Sequence, residues 1–211
     1  KTFLSFLVFI YFLHLQSLFA QSGIDDDFDK EELSFPNQRI IPCATPDPTI
    51  DQIIESKAEV DEWLMQNGNR NRNQVVVYVI WHVIYASDGT GNISDNRIIA
   101  QIEAMNQEFQ NNNSNIFLSL DSINRVENTE WFTGWAYFGD ALDDVGMEEL
   151  HYDPAHYLNI YSAQLYDSGA GSLVTLGYTT FPTNLTETSY MQGFTLDHRA
   201  VTGGLYGSQS A

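Results

Sequence analysis

Basic residues are scarce: nine Lys and Arg stand against 28 Asp and Glu in 211 residues, a net charge of −19. That shortage excludes a nucleic-acid-binding role, which needs a basic stripe to displace the counterions of phosphate. It also excludes an anionic membrane surface as partner. A large negative charge fits a soluble, exported protein. Cysteine is nearly lacking as well, and with Cys43 alone no disulfide framework can form within the stretch. A His-Glu-x-x-His helix is missing too. The nearest approach, His151-Tyr152-Asp153-Pro154-Ala155-His156, has no Glu after the first His, has the wrong spacing, and carries Pro154 where a helix would have to align the two rings.

What the chain does have is apolar, β-forming sequence: 43% of it is hydrophobic and 13% aromatic. The organising stretch is Val75 to Tyr85, VVVYVIWHVIY, in which every residue but His82 is β-branched or aromatic. Split by the strand period of two, one face carries Val75, Val77, Val79, Trp81, Val83 and Tyr85, and the other Val76, Tyr78, Ile80, His82 and Ile84. Both faces are apolar, which predicts a strand covered on both sides by helices. After a Ser87-Asp88-Gly89-Thr90-Gly91 turn, Ser94 or Asp95 caps a helix with Ile98, Ile102, Met105 and Phe109 along one face. The Asn-rich run 111–115 stops it, and Ile116 to Leu120 is a second strand, so the order strand, helix, strand predicts a parallel crossover. Trp131, Trp135, Tyr137 and Phe138 read as core or loop packing, with a sugar platform as the rival. A short acidic helix over Leu142 to Leu150, a strand over Tyr157 to Tyr161, a strand over Leu176 to Phe181 closed by Pro182, and a last strand over Phe194 to Asp197 complete the pattern.

The first part of the chain reads differently. Residues 1–20 have a basic start, an apolar middle and a small residue at Ala20, the pattern of a secretory signal peptide, so the protein is expected to be extracellular. Residues 21–38 are an acidic, solvated run. Pro42, Pro46 and Pro48 force Arg39 to Pro48 into an extended path that displays Cys43. Thr49 and Gln52 form a capping box for a helix with Ile53, Val60 and Leu64 on one face, ended by Gly68. The polar, basic run 69–73 is a linker and a candidate processing site at Arg70 or Arg72. Residue 1 is Lys rather than Met, so the numbering is expected to begin inside the true N-terminus.

The segments RIIPCATPDP (39–48), IWHVIYASDGTGNI (80–93), DPAHYLNIY (153–161), LGYTTFP (176–182) and FTLDHR (194–199) together resemble the pappalysin family of zinc metalloproteases, in particular its cytophagalysin-like members. The resemblance implies an α/β (α+β) fold: the metzincin-like N-terminal subdomain, a twisted, mixed, mainly parallel sheet with an antiparallel edge strand and backing helices. It implies a signal peptide over 1–20, a pro-segment over 21–72, and over 73–211 the N-terminal part of a catalytic domain whose three zinc-binding His and general-base Glu come after Ala211. Zinc is then the cofactor, with calcium a further candidate, and the substrate is a protein or peptide. The edge strand implies substrate contacts through Gly177, Tyr178, Thr179 and Thr180, by β-augmentation. Cys43 is implied as the thiolate that holds the zinc of the latent enzyme. The competing reading is a secreted, non-catalytic module that holds glycan or calcium. His82, His151, His156 and His198 are expected to be structural.

Overall fold

The computed structural model describes residues 39–41, 45, 47–67, 74–135, 141–165, 173–180, 185–186 and 188–205. The expected signal peptide, the acidic run, Cys43 and the 69–73 linker lie outside them. In chain order the elements are β1 (Arg39–Ile41), α1 (Ile50–Asn67), β2 (Val75–Tyr85), α2 (Asp95–Asn111), β3 (Ile116–Glu127), α3 (Thr129–Gly134), α4 (Ala141–Leu150), β4 (Tyr157–Ala163), β5 (Leu173–Thr175), β6 (Gly177–Thr179) and β7 (Gly193–Asp197). Five strands form one sheet in the order β3-β2-β4-β7-β6, and β1 and β5 form a separate parallel pair. In the main sheet every neighbouring pair is parallel except β6 with β7. The fold is thus a mixed, mainly parallel α/β sheet with an antiparallel edge strand, as the sequence pattern and the resemblance imply.

β2 is the centre because its side chains serve two cores at once. Val77, Val79, Trp81 and Val83 pack with Ile98, Ile102 and Phe109 of α2 and with Ile160 and Phe194 of the neighbouring strands. Ile84 faces the other way, into a second core with Phe132, Trp135, Met147, Tyr161 and Tyr178, which α3 and α4 help to build. Val79, Ile80, Trp81, Val83 and Ile84 are wholly buried. At about 2 kcal/mol each, those five side chains contribute on the order of 10 kcal/mol of burial, comparable with a whole domain's net stability. The start of the strand departs from the expectation of two dry faces, for Val75, Val76 and Tyr78 are exposed. Length explains the departure: eleven residues of strand at about 3.3 Å each outrun the layers that cover its second half.

β3 runs to Glu127, well past the expected end at Leu120. As the outer strand opposite β6 it tolerates polar residues, and a register shift between Val79 and Ile80 leaves Asp121 without a partner while pairing continues to Glu127. Its outer edge is closed by α2: the Asn106 side chain donates to the Leu118 carbonyl at 2.9 Å and accepts the Leu118 N–H at 2.7 Å. The capping box at Thr49 forms as the spacing predicts, with Thr49 N–H on Gln52 Oε1 at 2.8 Å and Gln52 N–H on Thr49 Oγ1 at 3.2 Å. The apolar stripe of α1 does not bury as expected. Ile53 is exposed, Val60 is half-buried, and Ser56 is the residue of that helix found buried among those described.

Candidate functional site

β6 ends the sheet, and its short sequence is held from three directions. In the antiparallel pairing Tyr178 lies opposite Thr195, and Asp197 N–H bonds to the Leu176 carbonyl at 2.9 Å. By alternation the main-chain groups of Gly177 and Thr179 point away from β7. Thr179 is where a second chain segment arrives. The Thr45 hydroxyl donates to the Thr179 carbonyl at 3.2 Å and accepts the Thr179 N–H at 3.0 Å. One side chain, 134 residues away in sequence, therefore takes the donor and the acceptor that an incoming strand would use. Thr179 Oγ1 in turn donates to the Gly193 carbonyl at 2.7 Å, tying β6 to β7. β1 reinforces the same junction by pairing with β5, two residues before β6.

The four residues expected to meet substrate thus lie in one segment but play different parts. Gly177 is buried, and a Cβ there would sit 2.9 Å from the Thr195 carbonyl oxygen, so this close strand approach requires glycine. Tyr178 turns its ring into the second core and donates its hydroxyl to Asp143 Oδ2 at 2.9 Å. Thr179 presents the outer edge, and Thr180 is half-buried beside it. Cys43, two positions before Thr45, lies outside the described residues.

The histidines are spread apart and engaged. His82 is wholly buried. Its Nε2–H donates to Asn159 Oδ1 at 3.0 Å, its Nδ1 accepts from Asn124 Nδ2 at 3.2 Å, and its ring stacks on Tyr161 at 4.7 Å. Burial holds its pKa down to about 4 from 6.5, so the ring is neutral. Asn159 also accepts the Tyr152 N–H at 2.9 Å and donates to the Tyr152 carbonyl at 2.8 Å, so one amide fastens the loop before β4 to the sheet. His151 lies against the last carbonyls of α4, with Nδ1 at 2.9 Å from the Glu148 oxygen. His156 pairs with Asp153 at 2.7 Å on the surface. His198 packs its ring against Phe132, and burial lowers its pKa. Among the described residues no group of three or more His, Cys, Asp and Glu could hold a metal ion. They do not fit a zinc centre.

The segment after β7 is built with equal care. The buried Asp197 carboxylate accepts the Leu165 N–H and a two-pronged bond from the Arg199 guanidinium, at 2.8–2.9 Å. Arg97 of α2 donates to the carbonyls of His198, Val201 and Thr202 at 2.9–3.1 Å, and Gln101 accepts both the N–H and the hydroxyl of Thr202. Of the aromatic residues offered as a sugar platform, Trp135 is buried and Trp131 packs half-buried against the second core, while Tyr137 and Phe138 lie outside the described residues.

No protein-family model matches the chain. Over 126 residues it is 33% identical to extracellular metalloproteases of Arthroderma benhamiae and Trichophyton verrucosum. The match takes in 58% of this chain and 41% of each relative, so the chain spans about two-fifths of the proteins it is similar to. Among solved structures, a promirolysin mutant from Tannerella forsythia superposes with a TM-score of 0.53 over 76% of this chain and 61% of that one, at 21% identity. That likeness is one of fold. The sequence likeness is to metalloproteases, proteins whose substrates are proteins or peptides.

Sequence inspection missed Thr45, Asn106, Asp143 and Arg97. Only Asn159 carried a visible signal, as a lone amide in the apolar strand YLNIY.

Proposed function

We propose that this chain is part of a secreted, zinc-dependent metalloendopeptidase of the pappalysin family, held in its latent form. In this reading residues 1–20 are a signal peptide, 21–72 a pro-segment, and 73–211 the scaffold and substrate rim of the catalytic domain. Bound zinc would activate the water that attacks the peptide bond, and its ligands belong to a part of the whole protein outside this chain. The chain's own contribution is to orient the substrate. An extended peptide lies along Gly177 to Thr180 as one more strand, bonded through the main chain of Thr179.

The single observation that carries this reading is the Thr45 clasp on Thr179. A sheet edge blunted permanently can use a helix of its own domain, as β3 uses Asn106. β6 is blunted instead from the segment before the 69–73 linker, and cutting at Arg70 or Arg72 would free it. In this reading Cys43, two positions before Thr45 in the sequence, supplies a thiolate to the zinc of the latent protein.

The test uses the protein expressed from its whole gene. It should contain zinc and hydrolyse casein after maturation, and N-terminal sequencing of the mature form should begin just after Arg70 or Arg72. In the zymogen, Thr45→Val and Cys43→Ala should each release casein hydrolysis before processing, at roughly tenfold or more above the unprocessed parent, about 1.4 kcal/mol in barrier terms. Unchanged latency in both variants would sink the clasp and the thiolate role. A whole-gene product free of zinc and inert toward casein would sink the peptidase reading.

A further inference from the structure

Asp143 and Tyr178 form a bond with no part in the reading given so far. Asp143 lies in the first turn of α4, and its other carboxylate oxygen accepts the N–H of Asp144 at 2.9 Å. Tyr178 stands between Gly177 and Thr179, the two residues of β6 whose main chain faces outward. Its ring belongs to the second core, and its hydroxyl reaches Asp143 through that core at 2.9 Å. Both side chains are buried.

A carboxylate is an expensive choice for such a place. Burial pushes the Asp143 carboxyl up, and the hydrogen bond that the Tyr178 hydroxyl donates to it works against that rise. Burial and the Asp143 charge push the Tyr178 hydroxyl well above its ordinary value, in keeping with a phenol that holds its proton and donates it to Asp143. An apolar pair would fill the same volume without the desolvation cost. What the polar pair adds is direction: a hydrogen bond fixes the phenol tip, and through a stiff ring with few rotatable bonds it fixes the backbone of Tyr178. β6 has only three residues and one strand neighbour, and with the Thr45 segment removed the Thr179–Gly193 bond and the Tyr178 phenol are what hold its depth in the sheet. The neighbouring Thr179 is one Cα spacing, about 3.8 Å, from the anchored residue. Any shift of Tyr178 is passed directly to the edge groups of Thr179.

We propose that Asp143 is a positioning residue for the peptide-pairing edge: acting through the Tyr178 hydroxyl, it sets where Thr179 presents its N–H and C=O to an extended peptide. This rests on the reading of β6 as the substrate rim. The carboxylate touches no substrate itself.

Tyr178→Phe removes the donor and Asp143→Leu the acceptor, while Asp143→Asn keeps an acceptor oxygen of the same size. In the mature whole-gene protein, Tyr178→Phe and Asp143→Leu should raise KM for fluorescein-labelled casein about tenfold and change kcat less than twofold, as expected for binding lost without loss of chemistry. Asp143→Asn should stay within about threefold of the parent KM. Amide hydrogen exchange over residues 177–180, read in this chain without any substrate, should quicken in the first two variants and not in the third. Should Tyr178→Phe and Asp143→Leu lower the melting temperature yet leave KM and exchange at 177–180 untouched, the pair is core packing and the proposal is overturned. If the parent protein cleaves no casein, the peptidase reading fails and the substrate role of Asp143 falls with it, and the exchange measurement alone decides whether the pair anchors β6.

Discussion

His82 shows how one residue's surroundings settle its chemistry. A histidine in an acidic protein invites a metal or a proton-transfer role. Here both ring nitrogens are spent on Asn159 and Asn124, the two strands that flank β2 supply those partners, and Tyr161 covers a ring face. The cost of charging it in place appears as a pH dependence. The folded pKa of about 4 lies below the ordinary 6.5, so the unfolded chain binds the proton first as pH falls. The stabilising contribution is complete above pH 6.5 and is lost progressively as pH drops through 6.5 toward 4. Its full size is roughly 3 kcal/mol. Urea unfolding at a series of pH values between these limits should show stability falling with acid, and His82→Gln should flatten that part of the curve even though it lowers the plateau. A parent curve with no loss in this window would contradict the neutral, buried ring.

Between neighbouring elements, the packing of β4 against β7 turns on one glycine. Gly193 starts β7 opposite Asn159 and adopts φ +136°, a conformation that side chains avoid. A Cβ there would run into the Asn159 carbonyl oxygen. Gly193→Ala therefore has to open the strand pair or strain the backbone, and either disturbs the amide that holds His82 and Tyr152. The expected loss is about 2–4 kcal/mol, read as a lower urea midpoint with quickened exchange in β7. A midpoint unchanged within error would show that the strand can shift freely. The family-like segments make sense at this scale as well. DPAHYLNIY delivers Asn159, FTLDHR delivers the Asp197–Arg199 pair, and the glycines of ASDGTGNI, at φ +88° and +86°, turn the chain from β2 toward α2. These are devices of construction, which is why none of them reads as a catalytic motif.

On the scale of the whole molecule, acidic side chains outnumber basic ones by 19, and the excess charge repels itself. Raising NaCl from about 10 mM to about 300 mM shortens the screening length from about 30 Å to under about 8 Å, and should stabilise the fold by about 1 kcal/mol. Thermal melts in the two buffers read this directly; a midpoint that falls with salt would mean that attractive ion pairs outweigh the repulsion. The two ends of the sheet are treated alike in geometry and differently in connection. Each edge has one residue whose N–H and C=O are both taken by a single polar side chain: Leu118 by Asn106 and Thr179 by Thr45. The first cap is part of the crossover helix. The second comes from the far side of a basic linker, and the proposed activation depends on that difference.

Local sequence marked β2, α1 and α2 but not β1, β5, α3 or the far half of β3: the period-two run of β2, the spacing of Ile98, Ile102 and Phe109, and the capping box at Thr49 act over a few residues, and the sign of the charge acts through composition alone. The mainly parallel sheet with β6 as its antiparallel edge came through resemblance, and the structure agrees. Only tertiary structure decided the partners of the polar side chains. Thr45 meets Thr179 across 134 residues, Arg97 reaches His198 across 101, and Tyr178 finds Asp143 across 35. Such pairs leave no periodic mark in a sequence, because a hydrogen bond between distant side chains is fixed by where the folded core brings their atoms and not by their spacing along the chain. The same reason hid the exposed start of β2 and the exposed Ile53 of α1: an apolar residue announces a preference for burial, and whether another layer arrives to cover it is a property of the whole.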